Sequence, residues 1–264
     1  MLWPPTMVRP PASSAFTQLI NRSGSLVARI IFQPIEETSR VFFSKTLSSS
    51  SSNSKNSLNT ASQILLSMLL LFTHLFLLLV TFGPPYLSIV LSVLLPPRYH
   101  NTSAPLILRA YIYYIPTMAF NGLLEAFFAS TSTPSDLRSQ SRWMFLFSVA
   151  FVVTAVGLAK GLGWGDAGLV WANIANLGFR TLYAWLFVLR FFGQRGAGDV
   201  VNWRRALPPV VVWGAFALSA ATTRWSANAY HDLPIFSQIG HITVGAACLM
   251  GCLIVWCVSG TVTC

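Results

Sequence analysis

The sequence predicts an all-α polytopic membrane protein with about seven transmembrane helices. Of its 264 residues, 54% are hydrophobic and only 9% are charged, and the mean hydropathy is +0.60. Soluble domains carry about a quarter charged residues. Apolar runs of about 20 residues, long enough to cross a bilayer, recur along the chain. We predict spans at residues 16–44, 61–82, 104–130, 143–160, 167–191, 207–223 and 237–258.

The segments between and beyond these spans are short, so we expect one helical bundle over residues 16–258 and no soluble domain. Residues 1–15 form an atypical N-terminal tail, which lacks the basic start and apolar core of a cleavable signal. Residues 46–60 are rich in serine and have no aromatic residue, which predicts a flexible loop. The stretch 84–96 is bounded by prolines and is short for a crossing, so we expect a re-entrant or interfacial segment. Residues 259–264 form a C-terminal tail.

Lysine and arginine residues in the loops predict the orientation of the helices. If 84–96 does not cross, eight cations lie on one side of the membrane and five on the other. The eight are Lys45, Lys55, Arg138, Arg142, Arg190, Arg195, Arg204 and Arg205, and the five are Arg9, Arg22, Arg98, Lys160 and Arg224. The positive-inside rule then puts the Ser-rich loop and the C-terminus in the cytosol, and the sequon at Asn101 on the lumenal or outer face. If 84–96 crosses, this assignment inverts.

The first span carries more charge than a helix in hydrocarbon tolerates. At 100° per residue, six polar side chains fall within about 60° of one another. They are Arg22, Ser25, Arg29, Gln33, Glu36 and Arg40. Such residues should face the protein interior or a watery cavity. Arg29 with Gln33, and Glu36 with Arg40, are i,i+4 pairs that compensate part of the cost.

Pro34 interrupts this charged stripe. A proline lacks the backbone donor of a helix interior, so the residue predicts a kink beside the charges. Two interpretations of the stripe stay open. Intramembrane charges often mark a transport path, but they also form structural ion pairs that fix helix packing.

The third span repeats the arrangement. Tyr114, Asn121 and Glu125 share one helix face, and Pro116 predicts a second kink. Arg109 lies near the start of this span on a different face. Its long side chain either snorkels to the interface or contributes to the transport path.

The fifth span carries a third one-sided stripe, formed by Asn173, Asn176 and Arg180. Asp166 is the predicted N-cap of this helix. The asparagines either form interhelical hydrogen bonds or contact a ligand. Three helices with polar stripes, two of them broken by proline, are typical of helices that line a cavity of changing shape.

No other class of site competes with this interpretation. The stretch GLGWGDAG at 161–168 lacks the Lys and Ser/Thr of a phosphate loop and predicts a tight turn. His74 and His241 lie in or beside apolar spans, where we expect structural roles, and the four cysteines fall in the last seventeen residues as small core residues. The net charge of +10 reflects loop residues. We therefore predict no enzyme, no metal, no cofactor and no nucleic-acid partner.

Four sequence blocks resemble a known family. In order, GSLVARIIFQPIEE, LRAYIYYIPTMAFNGLLEAFFAS, GLVWANIANLGFRTLYAW and GHITVGAACL are similar to the C-terminal half of the Rft-type oligosaccharide-lipid translocation proteins of the endoplasmic reticulum. The resemblance covers roughly residues 16–258, and members of the family are about twice as long. It implies one helical bundle of a two-bundle flippase of the multidrug and oligosaccharidyl-lipid type. The N-terminal half of the same protein is then an expected partner.

The resemblance also implies a function. The family is implicated in moving dolichyl-diphosphate heptasaccharide from the cytosolic to the lumenal leaflet of the endoplasmic reticulum membrane for N-glycosylation. The matching motif positions are Arg29, Gln33, Pro34, Glu36, Glu37, Asn121, Glu125, Asn173 and Arg180. Arginine suits a diphosphate through bidentate contacts, and Asn, Gln and Glu suit sugar hydroxyls.

Two alternatives to glycolipid translocation remain. The protein could be a non-transporting accessory factor of the dolichol-linked oligosaccharide pathway, such as a membrane scaffold for glycosyltransferases. It could also be a generic cation-coupled exporter of the same superfamily, for which Glu36 and Glu125 would be the coupling sites.

Overall fold

The computed structural model describes residues 28–48, 55–94, 103–230 and 238–262, and these ranges consist of helices and short connections. Seven α-helices follow one another in the described part of the chain. They are α1 (Gln33–Ser48), α2 (Lys55–Leu94), α3 (Ala104–Thr131), α4 (Pro134–Val156), α5 (Gly165–Gln194), α6 (Val210–Tyr230) and α7 (Ile239–Val262). A π-helical turn, Ala28–Phe32, directly precedes α1, and another, Gly157–Gly161, extends α4. The predicted all-α class is confirmed.

The helix α3 packs against three others, α1, α2 and α5. Near its C-terminal end Phe127 is fully buried. Its ring centroid lies 5.1 Å from that of Phe43 on α1 and 5.3 Å from that of Phe191 on α5, both in edge-to-face geometry. Such pairs add stabilisation beyond the apolar area that they bury. This aromatic cluster therefore ties α1, α3 and α5 together at one end of the bundle.

The helix α2 runs without interruption for 40 residues, and this corrects the prediction for 84–96. Residues 84–94 continue α2 rather than forming a separate re-entrant or interfacial segment. The two prolines remove two backbone donors, but neighbouring helices hold this part of α2. Gly83 lies so close to Ile112 of α3 that an added Cβ would be 2.8 Å from its Cγ2. Nε2 of His241 on α7 lies 3.4 Å from the carbonyl oxygen of the second proline.

Three stretches of α2 contact three sets of neighbours. Residues 58–72 belong to the main hydrophobic core with α1, α3 and α5. Residues 77–82 pack against α6 and α7. Residues 87–91 pack against the first turns of α3 and α5. The helices α6 and α7 also pack against each other, and α4 packs against α5. The long helix therefore joins the α1–α3–α5 group to the α6–α7 pair.

Within the described residues, four helical stretches are long and apolar enough to cross a membrane. They are Lys55–Val93, Pro134–Gly161, Gly198–Tyr230 and Ile239–Ser259. The helices α1, α3 and α5 are not among them, and these are the helices with the polar stripes. At 28 and 30 residues, α3 and α5 are long enough, but their charged and amide side chains lower the hydropathy. The chain is an all-α membrane protein, and the count of seven crossings stays a prediction.

The glycine-rich stretch 161–168 forms the predicted tight turn. Gly163 and Gly165 have φ angles of 70° and 55°, which side chains other than glycine rarely adopt. The prediction that Asp166 is the N-cap of α5 is wrong, because the chain turns at these glycines and the helix already begins at Gly165, with Trp164 at the N-cap. Asp166 instead lies in the first turn, where its negative charge interacts favourably with the positive end of the helix dipole.

Several predicted boundaries shift or lie outside the described residues. Helix α1 extends through residues 46–48 and α2 begins at residue 55, so that parts of the predicted Ser-rich loop 46–60 are helical. Residues 1–27, with the N-terminal tail and the first part of the predicted first span, lie outside the described residues. The same holds for the sequon at Asn101 and for Cys264.

The other three cysteines lie on α7 at different depths. Cys252 is buried, and its Sγ lies 3.2 Å from Oγ of Ser219 on α6. Cys248 is half-buried. Cys257 is exposed, so the prediction of a core position is wrong for this residue. An exposed thiol is tolerated here because Cys behaves as a small apolar side chain on the outer surface of an apolar helix.

Candidate functional site

The stripes predicted on the third and fifth spans face each other, and we call the four paired residues the α3–α5 polar interface. Nε and Nη2 of Arg180 on α5 both donate to Oε1 of Glu125 on α3, at 2.9 and 2.6 Å. One end of the interface is a hydrogen bond of 3.2 Å from Nδ2 of Asn173 to the hydroxyl of Tyr114. These contacts confirm that Tyr114 and Glu125 share one face of α3 and that Asn173 and Arg180 share one face of α5. The place of Asn176 on the same stripe stays a prediction.

The stripe on the first span forms a second group, the α1 polar face, which consists of Gln33, Glu36, Glu37 and Arg40. Nη2 of Arg40 donates to Oε1 of Glu36 at 2.9 Å, which confirms this predicted i,i+4 pair. Nε2 of Gln33 donates to Oε1 of Glu37 at 2.8 Å, and the predicted pair of Gln33 with Arg29 stays a prediction. The backbone of Arg29 belongs to the π-helical turn, and its side chain lies outside the described part of the structure.

The α1 polar face approaches α3 beside the α3–α5 polar interface. A Cβ added to Gly122 of α3 would lie 3.4 Å from Oε2 of Glu36, and Gly122 precedes Glu125 by three residues on the same helix. Gln33, Glu37 and Arg40 are exposed, whereas Glu36 is half-buried against α3. Most of the α1 polar face is therefore uncovered by any described residue, although charged groups of a membrane protein need shielding from hydrocarbon.

Pro34 and Pro116 occupy different positions in their helices. Pro34 is the second residue of α1, directly after the π-helical turn Ala28–Phe32. The regular α-helical hydrogen bonding is thus interrupted beside the charges. Such an interruption is favoured near a proline, because proline has no backbone N–H to donate. Pro116 is buried inside α3, which continues through it to Thr131. The kink at Pro116 stays a prediction.

Asn121 is buried, with 5% of its surface exposed. Its Oδ1 has no hydrogen-bond partner among the described residues. Glu125, one turn further along α3, bonds Arg180 instead. A buried amide oxygen without a partner costs free energy, so this position has unused capacity to accept a hydrogen bond.

Arg109 does not join these groups. It is exposed near the start of α3 and lines a separate cavity at the other end of that helix. The same cavity contains Arg224 of α6, which the sequence suggested only as a loop cation. Its spacing from Asn228, four residues on, could have indicated a polar face at the end of α6.

The two histidines differ in how well they are satisfied. His241 is buried, its Nδ1 lies 2.9 Å from Oγ of Ser226, and its ring stacks on Tyr86 at 4.2 Å. This confirms the predicted structural role. His74 has one nitrogen, Nδ1, at 2.8 Å from the carbonyl of Leu70, but its buried Nε2 has no partner in the described part of the chain. No group of three potential metal ligands converges among the described residues.

Comparison with known proteins identifies relatives of the chain. The family model described as Rft protein matches residues 6–263. The Man(5)GlcNAc(2)-PP-dolichol translocation protein RFT1 of Yarrowia lipolytica is 38% identical over 67% of this chain and 27% of its own length. The proteins of the same name from Xenopus tropicalis and Saccharomyces cerevisiae are 32% and 35% identical, over 88% and 66% of this chain.

The matches with the Xenopus and Saccharomyces proteins cover 43% and 30% of those proteins' lengths, so the chain spans less than half of the relatives that it matches. No solved structure matches the chain. The predicted resemblance is confirmed, since the family model covers nearly the whole sequence. From this coverage, and from the polar helices that carry the family's motifs, we conclude that the chain belongs to the Rft protein family.

Proposed function

We propose that this chain is part of a protein that moves Man(5)GlcNAc(2)-PP-dolichol from the cytosolic to the lumenal leaflet of the endoplasmic reticulum membrane, without chemical catalysis. The observation that supports this best is the exposed α1 polar face, which offers carboxylates and an amide beside the half-buried α3–α5 polar interface. Such groups suit the hydroxyls of an oligosaccharide. The names of the relatives point to the same substrate.

Within this proposal the polar groups have separate roles. Gln33, Glu36 and Glu37 contact sugar hydroxyls, and Arg29 contacts the diphosphate. The ion pair of Glu125 and Arg180 holds α3 against α5, because the hydrogen bonds described for these two side chains join the two helices. Asn121 accepts a hydrogen bond from the sugar, and Asn173 holds Tyr114.

We also propose seven crossings with the Ser-rich segment and the C-terminus in the cytosol. The continuous helix α2 supports this topology, because residues 84–94 extend one crossing and do not add a second. The eight cations then lie on the cytosolic side and the five on the lumenal side. With one bundle the transport cavity lacks an opposing wall, which the N-terminal half of a longer protein would supply.

The transport proposal is tested in a yeast strain depleted of its own Rft protein. One strain receives this chain alone, and another receives a chimaera of the N-terminal part of the Saccharomyces relative with this chain. We expect the chimaera to restore the gel mobility of an N-glycosylated reporter and this chain alone to fail. Restoration by this chain alone would contradict the need for a second bundle. Failure of a well-expressed chimaera would contradict the proposed function.

The site is tested in the same chimaera with Arg29→Ala and Glu36→Lys. Glu36→Lys places a cation beside Arg40 and removes a carboxylate from the α1 polar face. We expect under-glycosylation and accumulation of Man(5)GlcNAc(2)-PP-dolichol with each variant. The matched control is Lys45→Gln, which removes an exposed charge from the last turn of the same helix. Normal glycosylation with both site variants would refute the site assignment.

Direct transport and an accessory role give different results in liposomes. The purified chimaera is reconstituted, and exchange of the glycolipid between leaflets is measured with and without Glu36→Lys. We expect faster exchange with the unmodified chimaera than in protein-free liposomes. An unchanged rate together with restored glycosylation in yeast would favour the accessory factor. A rate that requires a proton or sodium gradient would favour the cation-coupled exporter.

A further inference from the structure

A cavity of about 600 Å³ lies where four helices end, away from the α1 polar face. Its walls are the last turns of α2 and α6 and the first turns of α3 and α7. Arg109 of α3 and Arg224 of α6 both line it, together with Ser88, Asn228 and Gln238. The two arginines thus come from helices that are distant in the sequence and meet at one cavity.

The described lining of this cavity is positively charged. It contains two arginines and no acidic residue. The ion pairs found among the described residues, Glu36 with Arg40 and Glu125 with Arg180, lie elsewhere. Arginine cannot lose its proton at any physiological pH. Both arginines are exposed at this cavity, so the donors of two guanidinium groups are open to an anionic ligand.

The chemistry of the lining favours a phosphate group on an amphiphile. Each guanidinium offers a planar fork of donors that matches phosphate oxygens, and Asn228 adds an amide donor. Leucine side chains stand beside these groups, among them Leu91 of α2 and Leu106 of α3. Polar donors next to apolar side chains suit the boundary between a head group and its hydrocarbon chains.

Hydrogen bonds and close packing between helices hold the wall of the cavity in place. Tyr86 of α2 donates to the carbonyl of His241 at 2.8 Å, and His241 contacts Ser226 of α6 at 2.9 Å. Gly240 allows the close approach of Tyr230, whose hydroxyl oxygen would be 2.6 Å from an added Cβ. These contacts lock α2, α6 and α7 together directly beside the cavity, so the helix that carries Arg224 is held in a fixed position relative to its neighbours.

We propose that this cavity binds a phosphate group, with Arg109 and Arg224 as its two charged ligands. The proposal goes beyond the transport function and does not depend on it, because it concerns a different end of the bundle and makes a claim only about binding. A lipid head group and free inorganic phosphate share the relevant chemistry, and the experiment separates these two sources.

The test is arginine footprinting of the whole chain with phenylglyoxal, read by mass spectrometry. The chain is purified in dodecylmaltoside micelles, which contain no phosphate, and is measured without addition, with phosphatidate added to the micelles, and with inorganic phosphate added. We expect the modification rates of Arg109 and Arg224 to fall by about tenfold with phosphatidate, as the strength of charge-assisted hydrogen bonds implies. The rate at Arg138, exposed at the start of α4, should stay within twofold.

The pattern of protection shows whether the bound phosphate comes from a lipid or from solution, and whether the site exists at all. Protection by phosphatidate alone identifies a lipid head group as the ligand, and protection in both anionic samples shows that a free phosphate suffices. Equal rates at Arg109 in all three samples would overturn the proposal. So would equal protection of Arg138, since it would indicate general coating of cations by an anionic surface.

A variant gives an independent check on cooperation between the two arginines. Arg224→Gln should remove most of the protection of Arg109 by phosphatidate, whereas Arg205→Gln, an exposed arginine outside the cavity, should leave it unchanged. Arg224→Lys keeps the charge and should preserve part of the protection if the glutamine variant does not fold. Full protection of Arg109 in either Arg224 variant would refute the shared site.

Discussion

Replacing Arg180 with glutamine should destabilise the protein well beyond the effect of losing one surface charge. In the native structure two nitrogens of Arg180 donate to the same oxygen of Glu125, at 2.9 and 2.6 Å. Only 33% and 22% of the two side chains are exposed. The substitution leaves the carboxylate of Glu125 between α3 and α5 without the cation that faces it.

The magnitude follows from these contacts. A hydrogen bond to a charged group contributes about 1.5–3 kcal/mol, and removing one partner of a fully buried pair costs about 3–5 kcal/mol. Partial exposure of both groups screens the charge, so we expect about 2–3 kcal/mol for Arg180→Gln or Glu125→Gln alone. The double variant leaves no isolated charge. It should therefore cost less than the sum of the single variants, by a coupling energy of about 1–2 kcal/mol.

The chain contains a matched control in the pair of Glu36 and Arg40. This pair also has a short contact, 2.9 Å, but it lies within one helix and its side chains are 34% and 51% exposed. Exposed i,i+4 pairs contribute about 0.5 kcal/mol or less. The same pair of glutamine substitutions should therefore give a coupling energy several times smaller than that of the α3–α5 pair.

The assay is the free energy of unfolding in mixed micelles of dodecylmaltoside and SDS, followed by tryptophan fluorescence and far-UV circular dichroism. Each double-mutant cycle needs four proteins, measured in one buffer. Additive single effects for Glu125 and Arg180, within about 0.3 kcal/mol, would refute the reasoning that the pair fastens α3 to α5. A larger coupling energy for the control pair would refute the role of burial.

The remaining predictions use the same unfolding assay. Phe127→Ala should lower the free energy of unfolding by about 3–5 kcal/mol because the ring is fully buried. Phe145→Ala on α4, where the residue is 73% exposed, should lower it by about 1 kcal/mol or less. Equal losses would contradict the assigned core. Gly168→Ala should cost about 1–3 kcal/mol, since its Cβ would lie 2.9 Å from a backbone nitrogen of the preceding turn. For Gly178→Ala on the same helix, no described atom lies within 4 Å of the added Cβ, so this variant should be neutral or stabilising by up to about 1 kcal/mol. A loss equal to that of Gly168→Ala would argue against the steric explanation. Asn121→Leu should leave stability unchanged or raised, because it removes a buried oxygen that has no hydrogen-bond partner in the described helices, while glycosylation by the chimaera falls. A stability loss with normal glycosylation would instead make Asn121 structural.

Helical periodicity alone was enough to predict the pairing of Glu36 with Arg40. Residues four apart lie on one face of a helix whatever surrounds them, so this contact depends only on local structure. The partners of Glu125 and Arg180 could not be found in this way, because 55 residues separate them in the chain. The sequence placed both on one-sided stripes, but only the packing of α3 against α5 brings the stripes together.

The segment after Gly83 shows where local preference misleads. Two successive prolines predict the end of a helix, so the sequence alone predicts a separate segment at residues 84–96. Contacts of this part of α2 with Ile112 and His241 hold it helical as far as Leu94. Arg224 was missed for a related reason. Its significance comes from the cavity that it shares with Arg109, and a cavity between four helix ends has no signature in any one of them.

The length of α2 leads us to expect that part of the bundle extends beyond the hydrocarbon layer of the membrane. An α-helix of 40 residues rises about 60 Å, and even a tilt of about 40° leaves about 46 Å along the bilayer normal, against a hydrocarbon thickness of about 30 Å. Its first turn, with Lys55 and Asn56, is polar and exposed, whereas Leu58 and Ala61 just beyond are buried against neighbouring helices.

We therefore expect the packed apolar core to continue past the hydrocarbon layer at this end and to meet water there. The hydrophobic effect holds helices together only where the alternative is contact with water. The projecting end should thus loosen in urea at concentrations that leave the lipid-embedded helices intact, which gives this membrane protein one region with the solvent response of a soluble one.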